Sequence, residues 1–575
     1  MKTRVVNILP AAPEFDQRAD GVTYVRSRHE LGPYPERITD CLDRWAVDVP
    51  DRIFLAERGP TEDWVRITYG EMLRRVRAAA QALLDGEVKG PVAILSGNGI
   101  DHAVLALACM YIGVTYAPIS PAYSLVSTEL STLRNLFERL RPEVMYAQDA
   151  AKFHRALALA SECGAEVITG VPLEALPGPD VDRANAEVRP DTVAKILFTS
   201  GSTGRPKGVI TTHRMLCSNQ EMLRTVLAFL AEEPPILCDW LPWNHVFGGS
   251  HNFGIVLYNG GTMFIDEGKP TEAGFRATLR NLRDIQTTAF FNVPRAYELL
   301  VPALRNDPAF ARHLFSKLNI IFYAAAGLNQ KVWDDLRDIA VETCGEDVLM
   351  VTGLGATESS PFALCTGPEG AAAGRVGLPA PGVELKLVPA GDKVEARLRG
   401  PNITPGFWDD AELTRASFDD EGFYKLGDAL RPVDARDPSK GFLFDGRITE
   451  DFKLSTGTWV SVGPLRERFL TWCKGAVQDV VIAAPDRDYV AALIFPAPGV
   501  AARELRPLIE SFARRATGAS TCIQRAIVLD EPPSIDRGEL TDKGAINQKA
   551  VLCKRALLVE ELYAGSERVI AISEA

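Results

Sequence analysis

The segment Lys195-Ile-Leu-Phe-Thr-Ser-Gly-Ser-Thr-Gly-Arg-Pro-Lys-Gly208 places an apolar run directly before a loop of Gly, Ser and Thr that closes on Lys207. Glycines let several backbone N–H groups converge on one anion, hydroxyls add donors, and a lysine adds a compact positive charge. Such a loop suits a polyphosphate. It is not a Walker loop, because G-x-x-x-x-G-K-[ST] is unmatched and Gly208 follows the lysine. Further on, Gly353-Leu-Gly-Ala-Thr-Glu358 ends on an acid that spoils a G-x-G-x-x-G dinucleotide reading.

Three more segments stand in order behind these: Tyr424-Lys-Leu-Gly-Asp428, Gly446-Arg-Ile-Thr-Glu-Asp-Phe-Lys453 and Arg537-Gly-Glu-Leu-Thr-Asp-Lys-Gly-Ala-Ile-Asn547. With Thr199 to Gly208 and Gly353 to Glu358, the series resembles the signatures of the adenylate-forming superfamily, which contains acyl-CoA synthetases, luciferases and peptide-synthetase adenylation domains. The resemblance implies that Thr199, Ser200, Gly201, Ser202, Thr203 and Gly204, with Lys207, hold the β- and γ-phosphates of ATP. Thr357 is then expected at the α-phosphate, Glu358 on magnesium, Asp428 on the ribose hydroxyls and Arg447 on ribose or phosphate. A carboxylate beside a transferring phosphate is the kind of ligand magnesium takes while sharing substrate oxygens.

Lys543 matches the family's mobile adenylation lysine, although Asp542 precedes it where most members carry a Ser-Gly pair. Lys453 and the Gly457-Thr-Trp459 segment are expected to face the site in a second orientation of a small C-terminal domain. Thr449 stands at the pivot, where an Asp is common in the family. The implied reaction activates a carboxylic acid with ATP through an acyl-adenylate and passes the acyl group to coenzyme A, with AMP and pyrophosphate released. Negative charge developing at phosphorus calls for magnesium and a lysine.

Asp239-Trp-Leu-Pro-Trp-Asn-His-Val-Phe-Gly-Gly249 resembles the family's acyl-pocket border, with His245 where many acyl-CoA synthetases carry His. Together with Leu257 to Pro270, Gly446 to Gly463 and Leu540 to Gln548, it is similar to the feruloyl-CoA synthetase branch. That similarity implies a hydroxycinnamate substrate and a flat pocket lined by His245, Phe247, Asn292, Ala325 and Gly327. Apolar and aromatic walls also suit a fatty acid or another aryl acid. The resemblance also leaves open an adenylating enzyme that loads a separate carrier protein and a luciferase-like oxygenase, while the intact Lys207, Glu358, Asp428, Arg447 and Lys543 argue against a non-catalytic nucleotide-binding protein.

Elements that could position these residues follow from periodicity. Thr68 and Glu71 have capping-box spacing, and Leu73, Val76, Ala80, Leu83 and Leu84 recur every three or four residues up to Gly86. Strand-helix units alternate from about residue 65 to 355: strand Val92 to Leu95, strand Lys195 to Thr199, helix Asn219 to Leu230, strand Ile236 to Trp240, and later strands at 288–293, 320–325 and 348–352. This predicts parallel α/β architecture. Alternation from Val383 to Leu398 predicts a small β-rich subdomain, and strands near 480, 490 and 526 around a helix at 500–515 predict a small α/β C-terminal domain, which the family resemblance implies is mobile. The expected division is 1–447 and 448–575.

The chain of 575 residues carries a net charge of -12, which argues against a broad nucleic-acid footprint. Ten scattered cysteines without a C-x-x-C pair, and an N-terminus without a continuous apolar run, point to a reducing cytoplasm. No stretch reaches the length of a membrane span. The expectation is a monomer or homodimer acting on small molecules.

Overall fold

A computed structural model describes residues 4–572 except 201–205, 369–371, 373, 449, 484, 486 and 542–543, and the Ser200 side chain also lies outside the description. Helix Tyr69–Asp85 forms as its sequence demands: Thr68 Oγ1 accepts from Glu71 N at 3.2 Å, and Met72, Val76, Ala80 and Leu83 are buried. Its neighbour Ile100–Tyr111 is apolar on every side after Asp101 and His102 and is buried almost throughout, as a helix enclosed on all faces must be.

Among the described residues, the first sheet runs in the order 206–212, 193–200, 116–118, 92–94, 144–146, 166–168. Its neighbours pair parallel except Pro206–Thr212, which turns back antiparallel on Val193–Ser200. The phosphate-loop candidate therefore lies between two antiparallel strands, and Lys207 stands opposite Thr199.

A second sheet has eleven strands. Ala289–Asn292, Ile320–Tyr323 and Leu349–Leu354 lie parallel at one end. Antiparallel strands continue from them through Leu364–Cys365, Arg375–Pro379, Phe442–Arg447, Tyr424–Pro432, Lys393–Arg399 and Glu384–Ala390. The β-rich subdomain is thus hydrogen-bonded into the same sheet. Two N-terminal strands, Thr23–Ser27 and Pro13–Gln17, finish it beyond Glu384–Ala390.

One expectation needs correction. The helix read as Asn219 to Leu230 begins at His213, because Thr212 accepts from Met215 N at 3.3 Å, and it ends at Val226 before a separate turn, Ala228–Ala231. Asn219 looks like a helix start by residue type, but it lies buried mid-helix with its amide committed elsewhere.

Beyond residue 450, Val477–Ala483, Val490–Pro496, Ile523–Val528 and Ile570–Ala571 form a separate four-stranded sheet with apolar clusters of its own. Among the described residues, no helix is long and apolar enough to cross a membrane.

Candidate functional site

The ends of the three parallel strands organise the site. Leu349–Leu354 runs out into Gly355 and the short turn Thr357–Ser359, where a Cβ on Gly355 would lie 1.4 Å from Pro361 O, so only glycine fits. Asn219 and Asn402 brace this turn, their Nδ2 groups donating to Phe362 O at 2.7 and 3.1 Å, and Asn402 also donates to Ser359 O at 2.9 Å. Thr404 N donates to Glu358 O at 2.8 Å while its hydroxyl donates to Ile210 O at 2.7 Å. The Glu358 turn is thereby tied to the Lys207 hairpin. Lys207 Nζ lies 5.7 Å over the Phe407 ring.

Asp428 joins this group on strand Tyr424–Pro432, 5% exposed, in register with Arg447. Arg447 Nε is 3.3 Å from Asp428 Oδ1, but that oxygen accepts no hydrogen bond among the described residues. Burial raises the Asp428 carboxyl to about 6, against the pull of Arg447. Burial, and then the Glu358 carboxylate beside it, also push the Tyr424 hydroxyl well up. The structure thus gathers Thr199, Lys207, Thr357, Glu358, Asp428 and Arg447 around one group of connected segments. Gly201, Ser202, Thr203, Gly204, Thr449 and Lys543 lie outside the described residues, as does the Ser200 side chain.

Beside it, Trp240 to Asn252 folds back on itself. Phe247–Asn252 winds as a π-helix, a form frequent at functional sites. It packs so closely on the preceding loop that a Cβ on Gly248 would meet Leu241 O at 2.3 Å and one on Gly249 would meet Trp243 O at 2.1 Å. His245 is half-buried, with Nε2 3.5 Å from Asn244 Nδ2. Phe247 faces Phe322 at 6.2 Å between ring centres. Asn292 ends its strand fully buried, its Oδ1 accepting from Val293 N at 2.9 Å and its Nδ2 without a partner among the described residues. Ala325, at a φ of +73°, and Gly327 form an exposed turn after the Ile320–Tyr323 strand. These pocket candidates therefore cluster at the carboxyl ends of parallel strands, where open α/β sheets hold ligands.

Two buried groups in this region escaped the sequence reading. His251, 1% exposed, lies within 5.1, 5.2 and 5.4 Å of the Phe247, Phe291 and Phe322 ring centres. Asn252 Nδ2 donates to Phe291 O at 3.4 Å, so Asn252 Oδ1 faces His251 Nδ1 at 2.8 Å and the imidazole proton belongs on Nδ1. Nε2 is left an acceptor without a partner among the described residues, and burial lowers the imidazole to about 4. Lys195, fully buried, donates to Gly249 O at 2.8 Å, and burial lowers its ammonium to about 7. The i, i+6 spacing of His245 and His251 within one apolar segment was the available signal.

Lys453 and Gly457 do not join the Glu358 group. They lie in the small hairpin Phe452–Lys453 and Trp459–Val460, with Lys453 Nζ 5.0 Å over the Trp459 ring and the Trp459 indole packed toward Gly391.

Residues 42–408 match the family profile described as AMP-binding enzyme, and residues 452–567 match the AMP-binding enzyme C-terminal domain. Anthranilate–CoA ligase of Pseudomonas aeruginosa is 28% identical over 438 residues, covering 74% of this chain and 78% of that protein. The 4-coumarate–CoA ligase-like protein 4 of Oryza sativa subsp. japonica is 27% identical over 455 residues, covering 74% and 77%. ATP-bound MatB from Rhodopseudomonas palustris superposes with a TM-score of 0.67 at 22% identity, covering 90% of this chain and 99% of that one.

Proposed function

The chain belongs to the AMP-binding enzyme family, and on that footing we propose that it converts a hydroxycinnamate such as ferulate to its coenzyme A thioester. It is an adenylating enzyme of the acyl- or aryl-CoA ligase type. The observation that carries the nucleotide side is Asp428 Oδ1, a buried acceptor without a donor among the described residues, set opposite Arg447 and beside Glu358. A buried acceptor left unpaired costs about 1–3 kcal/mol, and a ribose hydroxyl is a donor that fits.

In this reading the residues from Thr199 through Gly204, with Lys207, hold the β- and γ-phosphates, and Thr357 meets the α-phosphate. Among the described residues no three His, Cys, Asp or Glu side chains stand together, so magnesium on Glu358 would take its other ligands from phosphate oxygens and water, as its coordination habits allow. Bound there, the ion supplies charge neutralisation for pyrophosphate departure. The carboxylate oxygen of the acid attacks the α-phosphorus, and the P–O bond to pyrophosphate breaks. Lys543 stabilises the charge developing in that step. The coenzyme A thiolate then attacks the acyl carbon, and AMP leaves with the electrons of the acyl C–O bond.

On the acid side, the Phe247, Phe291 and Phe322 rings suit an aryl group. His251 Nε2, held as an acceptor among them, suits a phenolic hydroxyl, which favours a hydroxycinnamate over an alkyl acid. His245, Asn292, Ala325 and Gly327 complete the wall. Residues 1–447 carry both pockets, and a mobile 448–575 lobe brings Lys543 for the first step and Lys453 with Gly457 for the second.

Thioester formation with ATP, magnesium and coenzyme A, read by mass spectrometry across ferulate, p-coumarate, benzoate, octanoate and palmitate, tests the reading. Turnover of the hydroxycinnamates above the rest is the expected result. Turnover of alkyl acids alone would overturn the substrate assignment, and adenylate without thioester would overturn coenzyme A as acceptor.

A further inference from the structure

Helix Ser131–Leu140 has no side-chain cap of its own, and the loop leading into it is held from the other lobe. The Asp536 carboxylate accepts from Ser127 Oγ, from Thr128 N at 2.9 Å, from Thr128 Oγ1 at 3.1 Å and from Glu129 N at 3.4 Å. Ser131 Oγ donates to Asp536 O at 3.2 Å. The neighbouring Ile535 is buried in the same apolar cluster as Ile196 and Phe198, and Leu540 packs against that cluster. Ile196 and Phe198 belong to the strand that leads into the phosphate-loop turn.

The C-terminal segment is stiff behind these contacts. Glu539, fully buried, pairs with Arg555 at 2.7 Å and accepts from Ser534 N at 2.9 Å. A short, braced turn therefore plugs into the large domain by one apolar side chain and one multiply bonded carboxylate. Burial works against the Asp536 charge, yet its hydrogen bonds hold the carboxyl below its ordinary range.

We propose that Asp536 is a positioning residue: its clasp on Ser127 and Thr128 fixes the lobe in the orientation that serves adenylate formation and must open before the lobe can serve thioester formation. The assignment rests on the two-step reading above, because Lys543 follows Asp536 by seven residues and Leu540 by three. Ile535 and Leu540, packed with Ile196 and Phe198, hold the chain that precedes Lys543 against the strand that leads toward the phosphate-loop candidate.

The test compares the full-length chain with Asp536→Ala, Ser127→Ala, the double variant and Asp536→Glu in both half-reactions. Adenylate formation is read by acid-dependent ATP–pyrophosphate exchange with the best acid of the panel. Thioester formation is read from synthetic acyl-adenylate and coenzyme A. Asp536→Ala is expected to lose about tenfold to a hundredfold in exchange, the scale of a misplaced catalytic group, with the second half-reaction unchanged. The double variant should be no worse, and Asp536→Glu should recover part of the loss. Equal loss in both half-reactions, or undiminished exchange, overturns the proposal. Energy transfer between dyes placed one on each lobe decides the clasp even if no acid supports exchange, an outcome that would sink the reaction assigned above and not the clasp. Asp536→Ala should broaden the interlobe distances, and an unchanged distribution refutes the clasp.

Discussion

Arg447 Nε lies 3.3 Å from Asp428 Oδ1 across paired strands, yet the guanidinium is 60% exposed and the carboxylate only 7%. The arginine offsets part of the charge without satisfying the oxygen, which stays poised for another donor.

Asp428→Asn should raise the apparent KM for ATP at pH 7.5 by about tenfold or more, since a hydrogen bond to a charged group is worth about 1.5–3 kcal/mol. In the wild type, ATP binding should weaken as pH falls through about 6, where the folded carboxyl takes up its proton. Stability has the opposite sign. Between the ordinary 3.8 and about 6 the folded chain holds a proton that the unfolded chain has released, so stability falls as pH rises through that window and the loss persists above it. The Asn variant should lack this fall. Nucleotide titrations and melting midpoints from pH 4 to 8 check both.

Lys543→Ala should slow acid-dependent pyrophosphate exchange by about 10²–10³, the effect of removing one group that stabilises developing charge. Thioester formation from supplied acyl-adenylate should be spared. Equal loss in both half-reactions would refute its role.

His251→Leu should erase discrimination by the para hydroxyl. The ratio of kcat/KM for p-coumarate over cinnamate is expected to fall about fivefold to tenfold, the value of one neutral hydrogen bond near 1 kcal/mol. A ratio that stays put while both rates fall would leave His251 a packing residue.

Glu539→Gln leaves the buried Arg555 without its counter-charge and should cost the C-terminal lobe about 3–5 kcal/mol in denaturant melts. Burial pushes the Glu539 carboxyl up, but the Arg555 hydrogen bond and the Ser534 N–H outweigh it and leave the carboxyl lowered. Its contribution is therefore complete above the ordinary 4.5 and lost as pH falls through the lower folded value. Hydrogen exchange of Ile523–Val528, corrected for intrinsic rates and followed from pH 7 down through the acid range below 4.5, reads that loss.

Lys195 should leave a pH signature. Burial lowers its ammonium from 10.5 to about 7, so between those values the unfolded chain holds a proton that the folded chain does not. Stability from this group rises with pH across that window, and its cost is present in full below 7. The buried His102 ring is the nearby titratable group coupled to it, itself lowered by burial to about 4. Lys195→Met should be relatively more stable than wild type at pH 6 and relatively less so near pH 10, where it only strands the Gly249 carbonyl. Melting midpoints at the two pH values settle the crossover.

Local signals carried much of this far. The Thr68 cap, the apolar runs at 92, 195, 236, 289 and 320, and the Val383 to Leu398 alternation all mark real elements because each depends on neighbours a few residues away. Sheet membership is non-local. Nothing near Pro13 or Thr23 announces a partner at Glu384, and nothing near Val383 announces continuity with the parallel strands. The motifs singled out Lys207, Glu358 and Asp428 as candidates, but nothing in the sequence marked Asn219 and Asn402, because they act by bracing a turn more than a hundred and about forty residues away respectively. His251 hid because histidine in an apolar run carries no mark of which nitrogen is occupied.

The Thr23–Ser27 strand also sets an order of events during synthesis. Its partner, Glu384–Ala390, emerges about 360 residues later, a delay of roughly 20–70 s at ribosomal speeds of about 5–20 residues per second. An isolated two-stranded hairpin is marginal in water, so the first strands made are among the last to dock. Through that interval they present an open edge to every neighbouring nascent chain.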